Sequence, residues 1–239
     1  MKTIVLGDTH GRSNWKLAIH QDNPDRVIFI GDYFDSFHIN TTDQINNFLD
    51  IIEYKKTSGK EVILLIGNHD HHYYPEVGNT GTSGYQHVGN FQIVPTIDAN
   101  REHLQVAYQM NDFLFTHAGV SSEFMDNVYG NNGWKLETLV DDLNELFKYK
   151  PKTFDFNGID GYGDDTWQTP FWIRPKSLMR VNKNTLRKQI IQVVGHTSQK
   201  QIDRKGTATG GKYYFIDTMD TSGEYLVIQD NQLTFNSVK

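Results

Sequence analysis

The sequence predicts an α/β fold in which an early, largely parallel sheet is joined by later antiparallel hairpins, which gives the chain an α+β character. Three observations carry that expectation. Short β-rich runs are each followed closely by a polar block, an amphipathic helix lies between the second and third of them, and two turn-favouring pairs sit between strand-like runs further along. Alternating strand and helix argue for right-handed βαβ units, whereas paired runs about a tight turn argue for hairpins.

The first three runs are Thr3 to Leu6, Val27 to Ile30 and Val62 to Ile66, rich in the β-branched and aromatic residues that suit a half-buried pleated surface. They exit into Gly7-Asp8-Thr9-His10-Gly11, Gly31-Asp32-Tyr33-Phe34-Asp35 and Gly67-Asn68-His69-Asp70, and glycine suits a sharp exit of a strand into a loop. Ahead of the third run, Ile45, Phe48, Leu49 and Ile52 recur at helical spacing. Thr41 and Gln44 are spaced as a capping box and Gly59 is placed to stop the helix. In such an open sheet, ligands gather at the carboxyl ends of the strands, where the polar blocks lie.

Further on, His103 to Met110 and Phe113 to His117 flank Asn111-Asp112, and Glu224 to Gln229 and Gln232 to Phe235 flank Asp230-Asn231. Both read as hairpins. The runs Phe113 to Thr116 and Ile190 to Val194 lead into Thr116-His117-Ala118-Gly119 and Gly195-His196-Thr197. Leu136, Leu139, Val140, Leu143 and Phe147 mark a second amphipathic helix, followed from Pro151 to Pro170 by a stretch rich in Gly, Asp and aromatic residues. Residues 121–176 are expected to form an insertion over the site within one domain spanning 1–239.

Composition narrows the chemistry. The chain has 239 residues and no cysteine, which excludes disulfides, zinc-thiolate sites and thiol nucleophiles, so any metal must be held by His, Asp, Glu or Asn. A formal net charge of −6 lacks the basic signature of a duplex-binding domain, so bulk nucleic-acid binding is not expected. The longest apolar run is the five residues Val62 to Ile66, against roughly 18 for a membrane span. Met1-Lys2 and a few apolar residues lead at once into Gly7-Asp8, leaving no room for a signal-peptide core, and a cytoplasmic location without membrane contact is expected. Oligomeric state is not legible in the sequence.

Together the blocks offer Asp8, His10, Asp32, Asn68, His117 and His196, each at the exit of an expected strand. Six such nitrogen and oxygen donors can hold two divalent cations, provided one carboxylate bridges a pair roughly 3.5–4 Å apart, and Asp32 is the natural bridge. Taken singly, Gly-Asp and Gly-Asn pairs after strands are also ordinary turn chemistry, and their joint occurrence is what points to a metal site.

The order GD-x-HG, GD-x-x-D, GNH followed by Asp, H-x-G and GH, spanning residues 7 to 197, resembles the calcineurin-like metallophosphoesterases, specifically the phosphoprotein phosphatase (PPP) family in its smaller bacterial and phage branch. The resemblance implies two mixed β-sheets packed as a sandwich flanked by helices. It implies that Asp8, His10 and Asp32 bind a first metal, and that Asp32, Asn68, His117 and His196 bind a second. It implies a general acid, His69, oriented by Asp35, and in-line attack on phosphorus by a hydroxide bridging the two metals. A proton donor of near-neutral pKa opposite the attacking group suits a poor alkoxide leaving group. Phe171-Trp172-Ile173-Arg174-Pro175 resembles the family's aromatic segment with a phosphate-binding arginine, Arg174. The family's second arginine is replaced here by Ser36, and Arg12 is the candidate to compensate. Mn²⁺ is the expected metal, with Fe or Zn²⁺ also compatible with mixed ligation. Phosphoserine and phosphothreonine proteins are the implied substrates. The same core also serves dinucleoside tetraphosphates and nucleic-acid ends, and a non-enzymatic metal-stabilised binding module is a further reading.

Other groups are expected to be ordinary. His71 and His72 read as solvated loop residues, and Asp160, Asp164 and Asp165 as a loose acidic loop. Arg180, Lys183, Arg187 and Lys188 read as a solvated helix face, Tyr213 to Thr218 as a structural strand and turn, and Tyr162, Trp167 and Phe171 either as stacking groups or as core of the insertion.

Overall fold

The structure, a computed structural model, describes residues 1–238 apart from 80–83, 131–132, 161, 163, 182–185, 187–189, 207–211 and 231. Lys183, Arg187, Lys188 and Asn231 therefore lie outside the described residues. In chain order the elements begin with β1 (Lys2–Leu6), α1 (Trp15–Asp22), β2 (Arg26–Phe29), α2 (Thr41–Thr57), β3 (Glu61–Leu65), a single turn α3 (Asn68–His71), and α4 (Asn90–Asp98). They continue with β4 (Leu104–Gln105), β5 (Ala107–Met110), β6 (Phe113–Thr116), α5 (Ser122–Tyr129), α6 (Leu139–Tyr149) and α7 (Pro175–Val181). The last are β7 (Ile191–Val194), β8 (Asp203–Gly206), β9 (Lys212–Phe215), β10 (Glu224–Gln229) and β11 (Gln232–Ser237).

Two mixed sheets result, ordered β11-β10-β1-β2-β3-β4 and β5-β6-β7-β9-β8. In the first, β1, β2, β3 and β4 are parallel neighbours, while β10 joins β1 antiparallel in the register Thr3 opposite Ile228. In the second, β6, β7 and β9 are parallel, flanked by antiparallel β5 and β8. Strand periodicity explains how the sheets pack. Val5, Ile28, Leu65 and Leu226 from one sheet meet Phe113, Phe115, Val193 and Tyr214 from the other in a common buried layer. The alternate residues Ile4, Leu6, Val27, Phe29 and Leu64 face outward to Trp15 of α1 and to Phe48 and Ile51 of α2. Buried on both faces, these parallel strands read as continuous apolar runs. Among the described residues, no helix is long and apolar enough to cross a membrane.

Three details differ from expectation. Helix α2 is capped by Asn40, whose side chain accepts from the Asp43 N–H, in place of the expected Thr41 and Gln44 box. Its inward face is Gln44, Asn47, Phe48, Ile51 and Ile52, so Leu49 is left 40% exposed. Gln44 is drawn inward because its side chain bonds the loop after β2, accepting from Ser36 N at 3.1 Å and donating to Ile39 O at 2.5 Å. The run 103–110 is not one strand. It passes from the first sheet as β4 to the second as β5, and at the crossing Asn144 of α6 accepts from Val106 N and Ala107 N at 2.9 and 3.1 Å.

Candidate metal centre and catalytic cleft

The loops after β1, β2, β3, β6 and β7 meet at one edge of the sandwich. Thr9 N and His10 N both donate to Asp32 O, at 3.2 and 2.8 Å, which locks the first loop onto the second. Gly67 and Gly195 permit the closest approaches: a Cβ on Gly67 would strike the Asp32 carboxylate, and one on Gly195 the Asp8 carboxylate. Of the seven non-glycine residues with positive φ among those described, four stand here: His10 (43°), Asp32 (54°), Asp35 (65°) and His196 (67°). Left-handed backbone at such residues costs energy that the surrounding structure must offset, and it concentrates at sites where side chains are forced to converge.

All six expected donors come together. Asp8 accepts from His196 N through both oxygens, at 3.2 and 3.0 Å. Asp32 Oδ1 accepts from His69 N at 2.9 Å, leaving Oδ2 facing His10 Nε2 at 3.8 Å and His117 Nε2 at 3.4 Å. Asn68 Oδ1 lies 2.9 Å from both His117 Nε2 and His196 Nδ1. Each imidazole is tethered through its other nitrogen to a main-chain carbonyl: His10 Nδ1 to Phe34 O at 2.5 Å, His117 Nδ1 to Ile30 O at 3.1 Å, and His196 Nε2 to Trp172 O at 3.2 Å. Only an N–H can satisfy a carbonyl, so the inward nitrogen of each neutral ring carries a lone pair.

On His10 and His196 a lone pair thus faces carboxylate or amide oxygens, which are acceptors too, and His117 Nε2 points at the same oxygens. Burial lowers the pKa of His10 and takes that of His196 well below its usual value, so neither ring relieves the clash by taking a proton. Burial, followed by the neighbouring charges of Asp217 and Asp32, drives the Asp8 pKa well up. For Asp32, burial pushes upward but the surrounding histidines, His117 foremost, outweigh it and hold the carboxyl well below the usual range. A set of converging acceptors with fixed tautomers is what divalent cations require, and Asp8, His10 and Asp32 in particular bring their donor atoms within 4.8 Å of one another. The donor set fits the metals.

Beside the donors, His69 Nδ1 meets Asp35 Oδ2 at 2.9 Å. Burial disfavours the charged ring, but Asp32 and Asp35 prevail and hold the His69 pKa up at about 9. A cleft of about 170 Å³ opens here, walled by His10, Arg12, Asp35, Phe37, His69 and Asp217. Arg174 lies against the loop after β7, donating from Nε to Tyr162 O at 2.7 Å and from Nη1 to Thr197 Oγ1 at 3.1 Å and His196 O at 3.3 Å. Arg12 is at the cleft, but its guanidinium is already engaged by Asp220 and by Thr9 O.

Several participants escaped the sequence reading. Asp70 is buried and accepts from Asp32 N, Tyr33 N and Gly67 N at 2.8, 2.7 and 2.9 Å, stapling the second and third loops together. His71 and His72 are buried, not solvated: the polar block is a helical turn packed under the sheet edge, His71 against Phe147 and Phe171, and His72 against Asp35. The spacing of His69 and His72 at i, i+3 was the available signal. Asp217 is also buried, with its pKa raised to about 7 by burial and by Asp32, so the turn after β9 contributes a titratable carboxyl to the cleft as well as structure. Of the aromatic residues after Pro151, Phe171 is core, stacked near Phe154, while Tyr162 stays exposed.

Comparisons with known proteins agree with this fold. The fold is similar to that of the cold-active protein-tyrosine phosphatase of a Shewanella species, with a TM-score of 0.63 at 18% identity over 100% of this chain and 80% of that one. It is also similar to a protein serine/threonine phosphatase from Saccharomyces cerevisiae, with a TM-score of 0.61 at 17% identity over 100% and 80% of the two chains. No curated protein sequence matches the chain. The family description that does match, Calcineurin-like phosphoesterase, covers residues 1–218, nearly the whole length over which the loops converge. The chain belongs to the calcineurin-like phosphoesterases, a family of metal-dependent phosphoric-ester hydrolases.

Proposed function

We propose that the protein is a two-metal phosphomonoesterase acting on phosphoserine and phosphothreonine in proteins, with Mn²⁺ as the working metal. The observation that carries this reading is the set of inward nitrogens of His10, His117 and His196 facing the oxygens of Asp32 and Asn68, beside a histidine–aspartate pair. Asp8, His10 and Asp32 would hold one cation, and Asp32, Asn68, His117 and His196 the other. Bound there, the pair supplies Lewis acidity toward the phosphoryl oxygens and toward water.

The chain's own groups do the rest. Asp35 fixes the Nδ1–H of His69, which leaves Nε2 to carry the proton that the departing alkoxide oxygen needs, and a pKa held up at about 9 keeps that ring protonated at neutral pH. Arg174, anchored by Tyr162 O and Thr197, contributes a planar cation for phosphate oxygens. Arg12 contributes less, because Asp220 already offsets its charge.

The test is hydrolysis of p-nitrophenyl phosphate beside bis-p-nitrophenyl phosphate by the chelated and the Mn²⁺-reconstituted protein, followed by phosphopeptides. Metal-dependent turnover confined largely to the monoester is expected. Preferential cleavage of the diester would replace this reading with a phosphodiesterase.

A further inference from the structure

Behind the cleft lies a polar cluster built on Asp35, which is buried on left-handed backbone with both carboxylate oxygens engaged. Oδ2 accepts from His69 Nδ1 at 2.9 Å and stands 2.7 Å from His72 Nε2. Oδ1 accepts from the Tyr73 hydroxyl, which in turn accepts from Gln86 N at 2.8 Å. The His72 ring is set edge-on between Tyr73 and Tyr85, with centroids at 4.5 and 4.9 Å, and Tyr73 stacks on Tyr85 at 5.0 Å. Gly84, at φ +88°, closes the cluster: a Cβ there would lie 3.2 Å from Asp35 Cβ and 3.4 Å from His69 Cε1.

We propose that His72 and Tyr73 are positioning residues for proton donation, holding the plane of the Asp35 carboxylate so that Oδ2 meets the Nδ1–H of His69 while the far nitrogen of that ring faces the cleft. This rests on the phosphomonoesterase reading above. The terminal torsion of an aspartate is soft and broad, so a carboxylate bonded to His69 alone would swing and carry the ring with it. Hydrogen bonds from His69, Tyr73 and Gln86 Nε2, the last at 3.5 Å, together with the close approach of His72 Nε2 to Oδ2, leave one orientation. His72 and Tyr73 are 1% and 0% exposed, so neither reaches a substrate, and each acts through Asp35. The arrangement follows from chain order: residues 69, 72 and 73 fall at i, i+3 and i+4 across a single helical turn and its exit, which places all three side chains on one side.

The test uses three variants of the full, metal-loaded chain. His72→Phe removes the donor and keeps a ring, Tyr73→Phe removes only the hydroxyl, and His72→Gln retains an N–H donor. With glycerol 2-phosphate, whose alkoxide needs a proton, kcat is expected to fall about tenfold in both Phe variants, against less than about threefold with p-nitrophenyl phosphate, whose leaving group needs little help. His72→Gln should recover most of the loss. Equal losses on both esters, or a lowered melting temperature with unchanged leaving-group dependence, would overturn the proposal. A second readout does not depend on turnover. The downfield Nδ1–H resonance of His69, read in the Zn²⁺-loaded chain because Mn²⁺ would broaden it away and assigned by its disappearance in His69→Gln, should shift or broaden in both Phe variants, and an unmoved resonance would also count against the proposal. If the parent hydrolyses neither ester, the phosphomonoesterase reading fails while the resonance still decides the geometry. If His72→Phe does not fold, Tyr73→Phe carries both readouts.

Discussion

Asp32 has neighbours on every side of its carboxylate: His69 N on one oxygen, His10 and His117 toward the other, and Asp70 gripping its main-chain N–H. Such a residue serves both halves of a metal pair or neither. Asp32→Asn is expected to lose metal from both positions, and elemental analysis showing two equivalents bound would defeat its assignment as the bridge. His71 is a different kind of histidine. Buried between Phe147 and Phe171 and tied to Pro151 O at 3.0 Å, it has its pKa pushed down to about 4 by burial, with the Pro151 carbonyl opposing. In the unfolded chain the same ring titrates near 6.5. Between those values the unfolded state binds the extra proton, so stability is complete above about 6.5 and declines as pH falls toward 4, by up to about 1.4 kcal/mol per pH unit. His71→Gln should flatten that acid limb relative to the parent when urea midpoints are compared at pH 7 and pH 5. Parallel pH profiles in the two proteins would refute the assignment.

At the scale of elements, strands were the most legible part of the sequence, because apolar runs such as Val27 to Ile30 and Val62 to Ile66 are buried on both faces and each is punctuated by glycine. Helix edges were less legible. Asn40 and Thr41 are both good caps, and only the tertiary pull on Gln44 decides in favour of Asn40. The crossing from β4 to β5 was invisible for a similar reason: it is made by Asn144, 37 and 38 residues away from its partners, and no local pattern announces a side chain that bonds a distant strand. Asn144→Ala would strand the N–H groups of Val106 and Ala107 at the junction, while Ala107 O keeps its bond from Gln105 Nε2 at 2.9 Å, at a cost of about 1–3 kcal/mol. The measurement is the shift in urea midpoint; a change below about 0.5 kcal/mol would show that solvent satisfies those groups instead. The convergence of the six candidate donors was legible because each lies in a loop that follows a strand, whereas the placement of His72 and Tyr73 was not, since it depends on a helical turn only four residues long.

For the whole molecule, the sandwich gathers like charges at one edge. Asp8, Asp32 and Asp217 crowd together out of water, with burial working against the ionised form of each. Cations bound there would relieve that opposition in the folded state, so metal is expected to act as a stabiliser. Mn²⁺ added to the chelated protein at a hundredfold excess over its dissociation constant corresponds to about 2.7 kcal/mol, a rise in melting temperature of roughly 5–10 °C for a chain of this size. A melting temperature indifferent to Mn²⁺, measured by calorimetry with and without chelator, would remove the metal from the folded-state description.

The bond from His196 N to Asp8 joins residues 188 positions apart, and β1, which carries Asp8, is itself wedged between β2 and β10. The strand at residues 224–229, which flanks β1 on one side, follows every candidate donor by 28 residues or more. During synthesis the centre is therefore expected to be among the last parts to mature. A ribosome-bound chain stalled with residues 1–200 exposed would contain every candidate donor and still lack a strand that flanks β1, so tight cation binding is expected only once the sheet is complete.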